Sequence, residues 1–157
     1  MKAIHWIIAA AALAFVLPEP ANAATTDPEI IIYRFPGVRD NGLADNQGIA
    51  TVFHCTNFSG ADETLRLVTR RSAGDLATNK TVTITHLSTT TASTHATNAY
   101  QVETNLATGS VAQGTTAIAA TSINIVCTAE TIDASAATPI GVARRGIRFN
   151  PVPGSQE

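Results

Sequence analysis

The sequence predicts an all-β protein, an antiparallel β-sandwich of about 7–9 short strands with one disulfide. Short apolar or alternating segments recur along the chain, and clusters of Gly, Pro, Asn, Asp and Ser separate them at roughly ten-residue intervals. Threonine occurs 23 times, and its branched Cβ favours extended backbone over helix. Beyond the N-terminal segment no run has a convincing helical period, so strands are the expected elements throughout.

The N-terminus has the three parts of a secretory signal peptide. Lys2 gives a positive start, Ile4 to Leu17 form an apolar run, and Ala21-Asn22-Ala23 fits the small-x-small cleavage pattern. We expect cleavage between Ala23 and Ala24. The apolar run is shorter than the about 20 residues of a membrane-spanning helix, and no cysteine follows it for lipid attachment. The mature chain is therefore expected in the periplasm or outside the cell, with no membrane span.

Length and charge limit what the rest of the chain can be. Residues 1–23 are the predicted signal peptide, residues 24–150 have the length of a single sandwich domain, and residues 151–157 form a Pro-rich extended tail. Lys and Arg number 10 against 12 Asp and Glu, which gives a net charge of −2. This balance argues against a nucleic-acid-binding protein, which needs a concentrated positive surface.

The first half of the domain contains four predicted strands. Ile30 to Phe35 is a continuous apolar run that Pro36-Gly37 ends, and a loop rich in Asn and Gly follows. Ile49 to Asn57 and Thr64 to Arg70 flank a short turn, so we expect them to pair as a hairpin. Lys80 to Leu87 alternates at period 2, which places its Val and Ile on one face and its threonines on the other.

The second half is less regular, and its strands are predicted more coarsely. The low-complexity residues 88–99 contain a short predicted strand from Thr90 to Thr94, and Tyr100 to Thr104 alternates weakly. Ala117 to Thr128 is one strand or a pair of strands, since the alanine run at its start is too short for an independent helix. Ile140 to Phe149 is the last predicted strand.

Two strand-like stretches follow the first cysteine, C-T-N-F-S-G-A-D-E-T-L-R-L-V and K-T-V-T-I-T-H-L, with a Gly-containing turn between them. This pattern, over roughly Ile49 to Thr94, resembles immunoglobulin-like domains of secreted bacterial proteins. The resemblance implies a fold and carries no activity. The chain departs from a true immunoglobulin domain because it has no Trp between its cysteines and has Ile125 where a Tyr is expected. The whole chain is also similar to small exported bacterial proteins of unknown function.

Cys55 and Cys127 are the only cysteines, and an exported chain with two cysteines is expected to join them. Alternation places Cys55 on the same face as Phe53, and Cys127 on the same face as Ile123 and Ile125, so both point toward the core. Free thiols or a metal site are the alternatives.

The histidines are the candidate metal ligands. His54 is adjacent to Cys55, but neighbouring side chains on a strand point to opposite faces, so this pair does not bind one ion. His54, His86 and His95 could converge as a three-imidazole zinc or copper site, although their spacing matches no known metal motif. The alternative for each is a partly exposed or hydrogen-bonded histidine.

The arginines form two groups along the chain, Arg66, Arg70, Arg71 and Arg144, Arg145, Arg148. If their strands are neighbours, they form an anion- or polysaccharide-binding patch. The alternative is an edge strand that charge protects from aggregation.

The sequence thus favours an exported, non-catalytic sandwich with a binding or structural role, without a cofactor, and with a protein or polysaccharide partner at the cell surface. No G-x-S-x-G motif or other nucleophile signature is present. The alternative is an exported metal-dependent or hydrolytic enzyme that uses His54, His86 and His95.

Overall fold

A computed structural model describes residues 30–149, which form ten strands and no helix. The predicted signal peptide, its cleavage site between Ala23 and Ala24 and the tail at 151–157 lie outside the described residues. The strands are β1 (Ile30–Asp40), β2 (Ile49–Asn57), β3 (Glu63–Arg71), β4 (Leu76–Ile84), β5 (Thr89–Ser93), β6 (Thr104–Asn105), β7 (Val111–Ala120), β8 (Ile125–Asp133), β9 (Gly141–Arg144) and β10 (Ile147–Arg148). The absence of any helix in 30–149 also means that no helix there is able to cross a membrane.

The strands form two five-stranded sheets, which confirms the predicted sandwich. Sheet A has the order β10-β1-β7-β3-β4, and sheet B has the order β6-β5-β2-β8-β9. All pairs are antiparallel except β5 and β6, which are parallel. The sheets enclose one main apolar core that includes Phe35, Phe53, Leu65, Ile118 and Ile125, each almost completely buried. Strands β1 to β5, β7 and β8 contribute side chains to this core, mostly at alternate positions, as the period-2 pattern predicts.

The alternation of β4 follows the prediction. Ile84 is buried and Val82 packs against the main core, whereas Thr81 and Thr83 are exposed. The strand begins and ends earlier than expected, so His86 and Leu87 lie in the turn after it.

The predicted end of β1 at Pro36-Gly37 is wrong, because the strand continues to Asp40. Strand β10 flanks β1 only at Tyr33 and Arg34, so Pro36 lies where β1 is a sheet edge and its missing N–H is tolerated. Register shifts against β7 on both sides of Val38, and the positive φ of Gly37, show how a bulge carries the strand past the proline.

The predicted hairpin between 49–57 and 64–70 is also wrong, because β2 lies in sheet B and β3 in sheet A. Asn57 marks the crossing. Its side-chain Nδ2 donates to the carbonyl oxygens of Ala61 and Ile84, and its Oδ1 accepts the N–H of Ser59. These bonds direct the chain across the core, so that the apolar faces of β2 and β3 face each other from opposite sheets.

The last predicted strand, 140–149, is two short strands in different sheets. Strand β9 pairs with β8 in sheet B, and β10 pairs with β1 in sheet A. Gly146 lies between them directly against the ring of Phe35, where a Cβ would overlap the ring. The crossing thus needs a glycine, because the backbone passes over a core aromatic side chain.

The disulfide joins Cys55 of β2 to Cys127 of β8, as predicted. The two residues are directly paired in the β2–β8 ladder, with Cα atoms 4.2 Å apart, and both are buried in the main core. The bridge therefore connects neighbouring strands of one sheet, whereas the conserved bridge of antibody domains joins the two sheets.

We expect replacement of both cysteines by alanine to lower the free energy of unfolding by about 2–5 kcal/mol, because the bridge restricts the unfolded chain over a long loop. Urea unfolding followed by circular dichroism measures the change. Val126→Ala, a half-exposed neighbour on the opposite face of β8, is the control and should shift the free energy by less than about 0.5 kcal/mol. Equal unfolding midpoints for the double-cysteine variant and the wild type would contradict a stabilising bridge.

Candidate functional site

A strap of residues 94–103 crosses the outer face of sheet B, the face turned away from the core. It leaves the end of β5 and reaches the end of β8, where the N–H of Asn98 donates to the carbonyl of Ala134 and the Asn98 side chain to that of Ser135. Val52 of β2 lies between these strands on this face and is completely buried. The strap thus encloses part of a sheet face that would otherwise be exposed.

Four side chains, named here the outer-face cluster, meet beside the strap: His54, Thr91, Glu130 and Tyr100. Strand register places His54 of β2 opposite Thr91 of β5 and diagonal to Glu130 of β8, and the strap brings Tyr100 over them. His54 Nδ1 lies 3.0 Å from Thr91 Oγ1, and Nε2 lies 3.6 Å from Glu130 Oε1. The rings of His54 and Tyr100 pack edge to face at 4.8 Å.

Tyr100 is held in its protonated form. Its hydroxyl donates to Glu130 Oε1 at 2.5 Å. Burial raises the pKa of Tyr100 from 10.0 to about 12, and the hydrogen bond to Glu130 and the negative charges of Glu130 and Glu103 add to the increase. Tyr100 is thus a hydrogen-bond donor that fastens the strap to β8.

His95 lies in a separate, buried network with Asp40. His95 Nδ1 is 2.8 Å from Asp40 Oδ2, and Nε2 is 3.0 Å from the carbonyl oxygen of Gln47. Asp40 also accepts hydrogen bonds from Thr108 Oγ1 and from the N–H of Gly42. Because a carbonyl oxygen only accepts, Nε2 is the donor to Gln47. The pair ties the end of β1 to the start of the strap and has a structural role.

His86 is exposed in the turn after β4, where its Nδ1 accepts the N–H of Gly60 at 3.0 Å. His54, His86 and His95 thus have three separate sets of partners, and the structure does not bring them together. Within residues 30–149, no group of three or more His, Cys, Asp or Glu side chains has an arrangement that would hold a metal ion.

The six predicted patch arginines divide in two, because β7 and β1 lie between β3 and β10 in sheet A. On β3, Arg71 binds Asp75 and the carbonyl oxygens of Thr108 and Ser110, and Arg70 binds the carbonyl of Gly74. These two arginines fasten turns. Arg66, on the same strand, is half-buried.

The other three arginines and Arg34 belong to the side of the sandwich where β9 and β10 lie, a group named here the basic edge. It consists of Arg34, Arg144, Arg145 and Arg148 on β1, β9, β10 and the crossing between the last two. Arg144 donates to Thr131 Oγ1 and Arg148 to the carbonyl of Ile123. Pairing of β1 with β10 adds Arg34, whose guanidinium lies 5.6 Å from the ring centre of Phe149. Arg148 lies 5.7 Å from the ring centre of Tyr33, and Arg145 is exposed.

A groove of about 420 Å³ crosses the start of β9, the end of β8 and the start of β2. Its lining is mainly apolar: Gly48, Ile49, Thr131, Ile132, Asp133, Ile140, Gly141 and Val142. Ile140 and Val142 are 73% and 66% exposed, unusually high for large apolar residues beside a strand edge. Asp133 is the one charged residue of the lining, and hydrogen bonds from the side chain and backbone of Ser135 lower its pKa.

Several of these residues were not predicted from the sequence. Glu130 lies beyond Thr128, where the predicted strand ended, and its partner Tyr100 lies in a segment whose path across the sheet no pattern indicates. Asp40 was part of a loop rich in turn residues, which gave no sign that its carboxylate is buried. In the sequence, Ile140 and Val142 are not separated by polar residues as expected for a strand with one exposed face. This missing alternation was the one signal of an exposed apolar groove.

Comparison of the chain with protein-family models, with curated proteins and with solved structures found no match.

We expect His95→Ala to lower the free energy of unfolding by about 1–3 kcal/mol, because it removes a hydrogen-bond partner of the buried Asp40 carboxylate. Chemical denaturation measures the loss, and Asp40→Ala/His95→Ala should cost less than the sum of the single changes. The exposed His86→Ala is the control, with a change within about 0.5 kcal/mol. A His95→Ala value as small as that of the control would show that the pair is not structural.

Tyr100 should make stability fall in alkali. Its folded pKa of about 12 exceeds the ordinary 10.0, so the folded state holds the phenol proton more tightly than the unfolded state. The contribution is complete below pH 10 and is lost as the pH rises toward 12. We expect urea midpoints to fall more steeply over this range for the wild type than for Tyr100→Phe. If the urea midpoints of the two proteins fell equally with pH, the Tyr100 proton would not be linked to stability.

Proposed function

We propose that this protein is an exported, non-catalytic β-sandwich that binds an extended, acidic segment of a partner protein along strand β9. Export is supported by the signal-peptide pattern of residues 1–23 and by the disulfide, which persists in the oxidising periplasm or outside the cell. Both locations fit the proposal.

The observation that carries the proposal is the unpaired outer edge of β9, next to an apolar groove that crosses the start of β9, the end of β8 and the start of β2. Within residues 30–149, β9 pairs with β8 only, so the backbone N–H and C=O groups of its other edge are open to an added strand. Strand addition gives affinity through main-chain hydrogen bonds and specificity through pockets for alternate side chains. The groove lined by Ile49, Ile132 and Val142 supplies such a pocket, and its volume is that of ordinary ligand sites.

The charge around β9 indicates which segment fits. Arg144 ends the strand and the exposed Arg145 follows it, next to Arg148 of the basic edge. Within the groove lining, the ionised Asp133 is the one charged residue. A strand with alternate apolar residues and with Asp or Glu at its arginine end is therefore complementary, and charge pairs fix its direction.

The outer-face cluster supports a second candidate, the hydrolytic alternative. Thr91, His54 and Glu130 form a hydroxyl–imidazole–carboxylate series with a contact of 3.0 Å at His54 Nδ1. However, Glu130 is already bound by Tyr100, and its distance of 3.6 Å from His54 is too long for the hydrogen bond that orients a catalytic base. Ester hydrolysis that is lost in His54→Gln and retained in His86→Gln would favour this alternative over the non-catalytic reading.

Binding is tested with a fluorescent peptide of alternating Val and Thr that ends in Glu-Glu. Fluorescence anisotropy should show saturable binding, at least about tenfold weaker for Val142→Asp, because the substitution places a charge in the apolar groove and repels the acidic end. Val102→Asp, at the most exposed valine of the described chain, is the matched control and should bind as the wild type does.

Three further measurements decide between occupants. A peptide ending in Lys-Lys should bind at least about tenfold more weakly, because the basic edge repels it. Equal binding of both peptides, or no binding of either, contradicts the proposal. Binding to anionic vesicles in the absence of the peptide would indicate that the partner is a lipid surface. A concentration-dependent dimer that Val142→Asp abolishes would indicate that the partner is a second copy of the chain. Either result would contradict the proposed peptide partner.

A further inference from the structure

We propose that His54 and Glu130 form a binding site for a divalent transition-metal ion of the zinc or copper type, on the outer face of sheet B and independent of the β9 groove. The two donors are His54 Nε2 and Glu130 Oε1. They come from neighbouring strands and converge because β2 and β8 pair in the observed register. Imidazole nitrogen and carboxylate oxygen are both common ligands of these ions.

The distance between the donors is the first observation. At 3.6 Å, His54 Nε2 and Glu130 Oε1 are farther apart than the about 2.7–3.2 Å of an N–H···O hydrogen bond. Zinc binds such ligands at about 2.0–2.2 Å, so two ligands of one tetrahedral ion lie about 3.3–3.6 Å apart. The separation thus corresponds to two atoms that share an ion.

The second observation is the hydroxyl on the other ring nitrogen. Thr91 Oγ1 lies 3.0 Å from His54 Nδ1 and is able to accept a proton from it. Metal-binding histidines usually donate their second N–H to such an acceptor, which fixes the ring and leaves the other nitrogen unprotonated. In that tautomer the lone pair of Nε2 points toward the negative carboxylate, and a cation between them removes the repulsion.

Access and surroundings are also suitable. The side chains of His54 and Glu130 are 24% and 25% exposed, so an ion and completing water molecules reach them. Tyr100 donates to the same Oε1 from the strap, and its raised pKa keeps the phenol proton in place. Tyr100 thus orients the carboxylate, as hydrogen-bonded partners of metal-binding carboxylates do.

The site is tested by isothermal titration of the full mature chain with Zn²⁺, with Mg²⁺ as the ion that this nitrogen-containing site should not prefer. One saturable Zn²⁺ per chain is expected. His54→Gln and Glu130→Gln should each weaken binding at least about tenfold, and Thr91→Val should weaken it about 10–100-fold. The exposed His86→Gln is the matched control and should leave the affinity unchanged.

Nuclear magnetic resonance of the imidazole nitrogens gives a second, independent result. Saturation with Zn²⁺ should move the resonance of His54 Nε2 and leave Nδ1 protonated. Circular dichroism without metal verifies that each variant is folded, as expected for substitutions of half-exposed side chains. Equal Zn²⁺ affinity in all variants, or a shift confined to His86, would show surface binding unrelated to this site and would overturn the proposal.

Discussion

The pairing of β2 with β8 is the constraint on which the rest of the structure depends. Cys55 and Cys127 are directly opposed in this ladder, so the covalent bond permits one register. A slip by one residue would turn every side chain of a strand to the other face. The disulfide therefore decides that Phe53 enters the core and that His54 points outward, where the diagonal position on β8 is occupied by Glu130. The contact of His54 with Glu130 on the outer face thus depends on the register that the buried disulfide fixes.

Polar side chains fix the paths of the loops, as the disulfide fixes the register of β2 and β8. The strap has few apolar residues, and its position depends on hydrogen bonds at both ends and near its middle: His95 to Asp40, Asn98 to the end of β8, and Tyr100 to Glu130. Buried hydrogen bonds of this kind contribute little net stability individually, but breaking one leaves an unsatisfied group that costs more. A chain of 157 residues with a large share of small side chains thus specifies its loop paths by polar complementarity.

The sequence predicted the elements better than their partners. The predicted bounds of β2 are those observed, and the buried and exposed faces of β4 were correct, because alternation is a local property of one strand. Alternation does not reveal which sheet a strand joins. Leu65 and Leu67 of β3 bury equally well in a hairpin with β2 or opposite it across the core, and the choice depends on the bonds of Asn57.

In the candidate sites too, features of a single strand were predicted from the sequence, and contacts between distant segments were not. The opposite faces of His54 and Cys55 followed from strand geometry, and the disulfide followed from the number of cysteines and the expectation of export. The contact of His54 with Glu130 joins residues 76 positions apart and requires the β2–β8 register. The strap that brings Tyr100 to them has no periodic pattern. The three-histidine site required distant contacts that no single segment specifies.

Strand β9 differs from the other edge strands, β4, β6 and β10, in the features that prevent pairing with another chain. On strand β4, Thr78 and the exposed Lys80 donate to the carbonyl oxygens of Leu106 and Asn105 and connect the two sheets at that side. Strands β6 and β10 have two residues each, too short to guide an added strand. An edge lysine and a very short strand are usual means by which sheets avoid pairing with other chains. Strand β9 has neither: it is four residues long, and its first three, Gly141 to Ala143, are uncharged and exposed. This uncharged, exposed edge is the reason why we propose β9 as the place of strand addition.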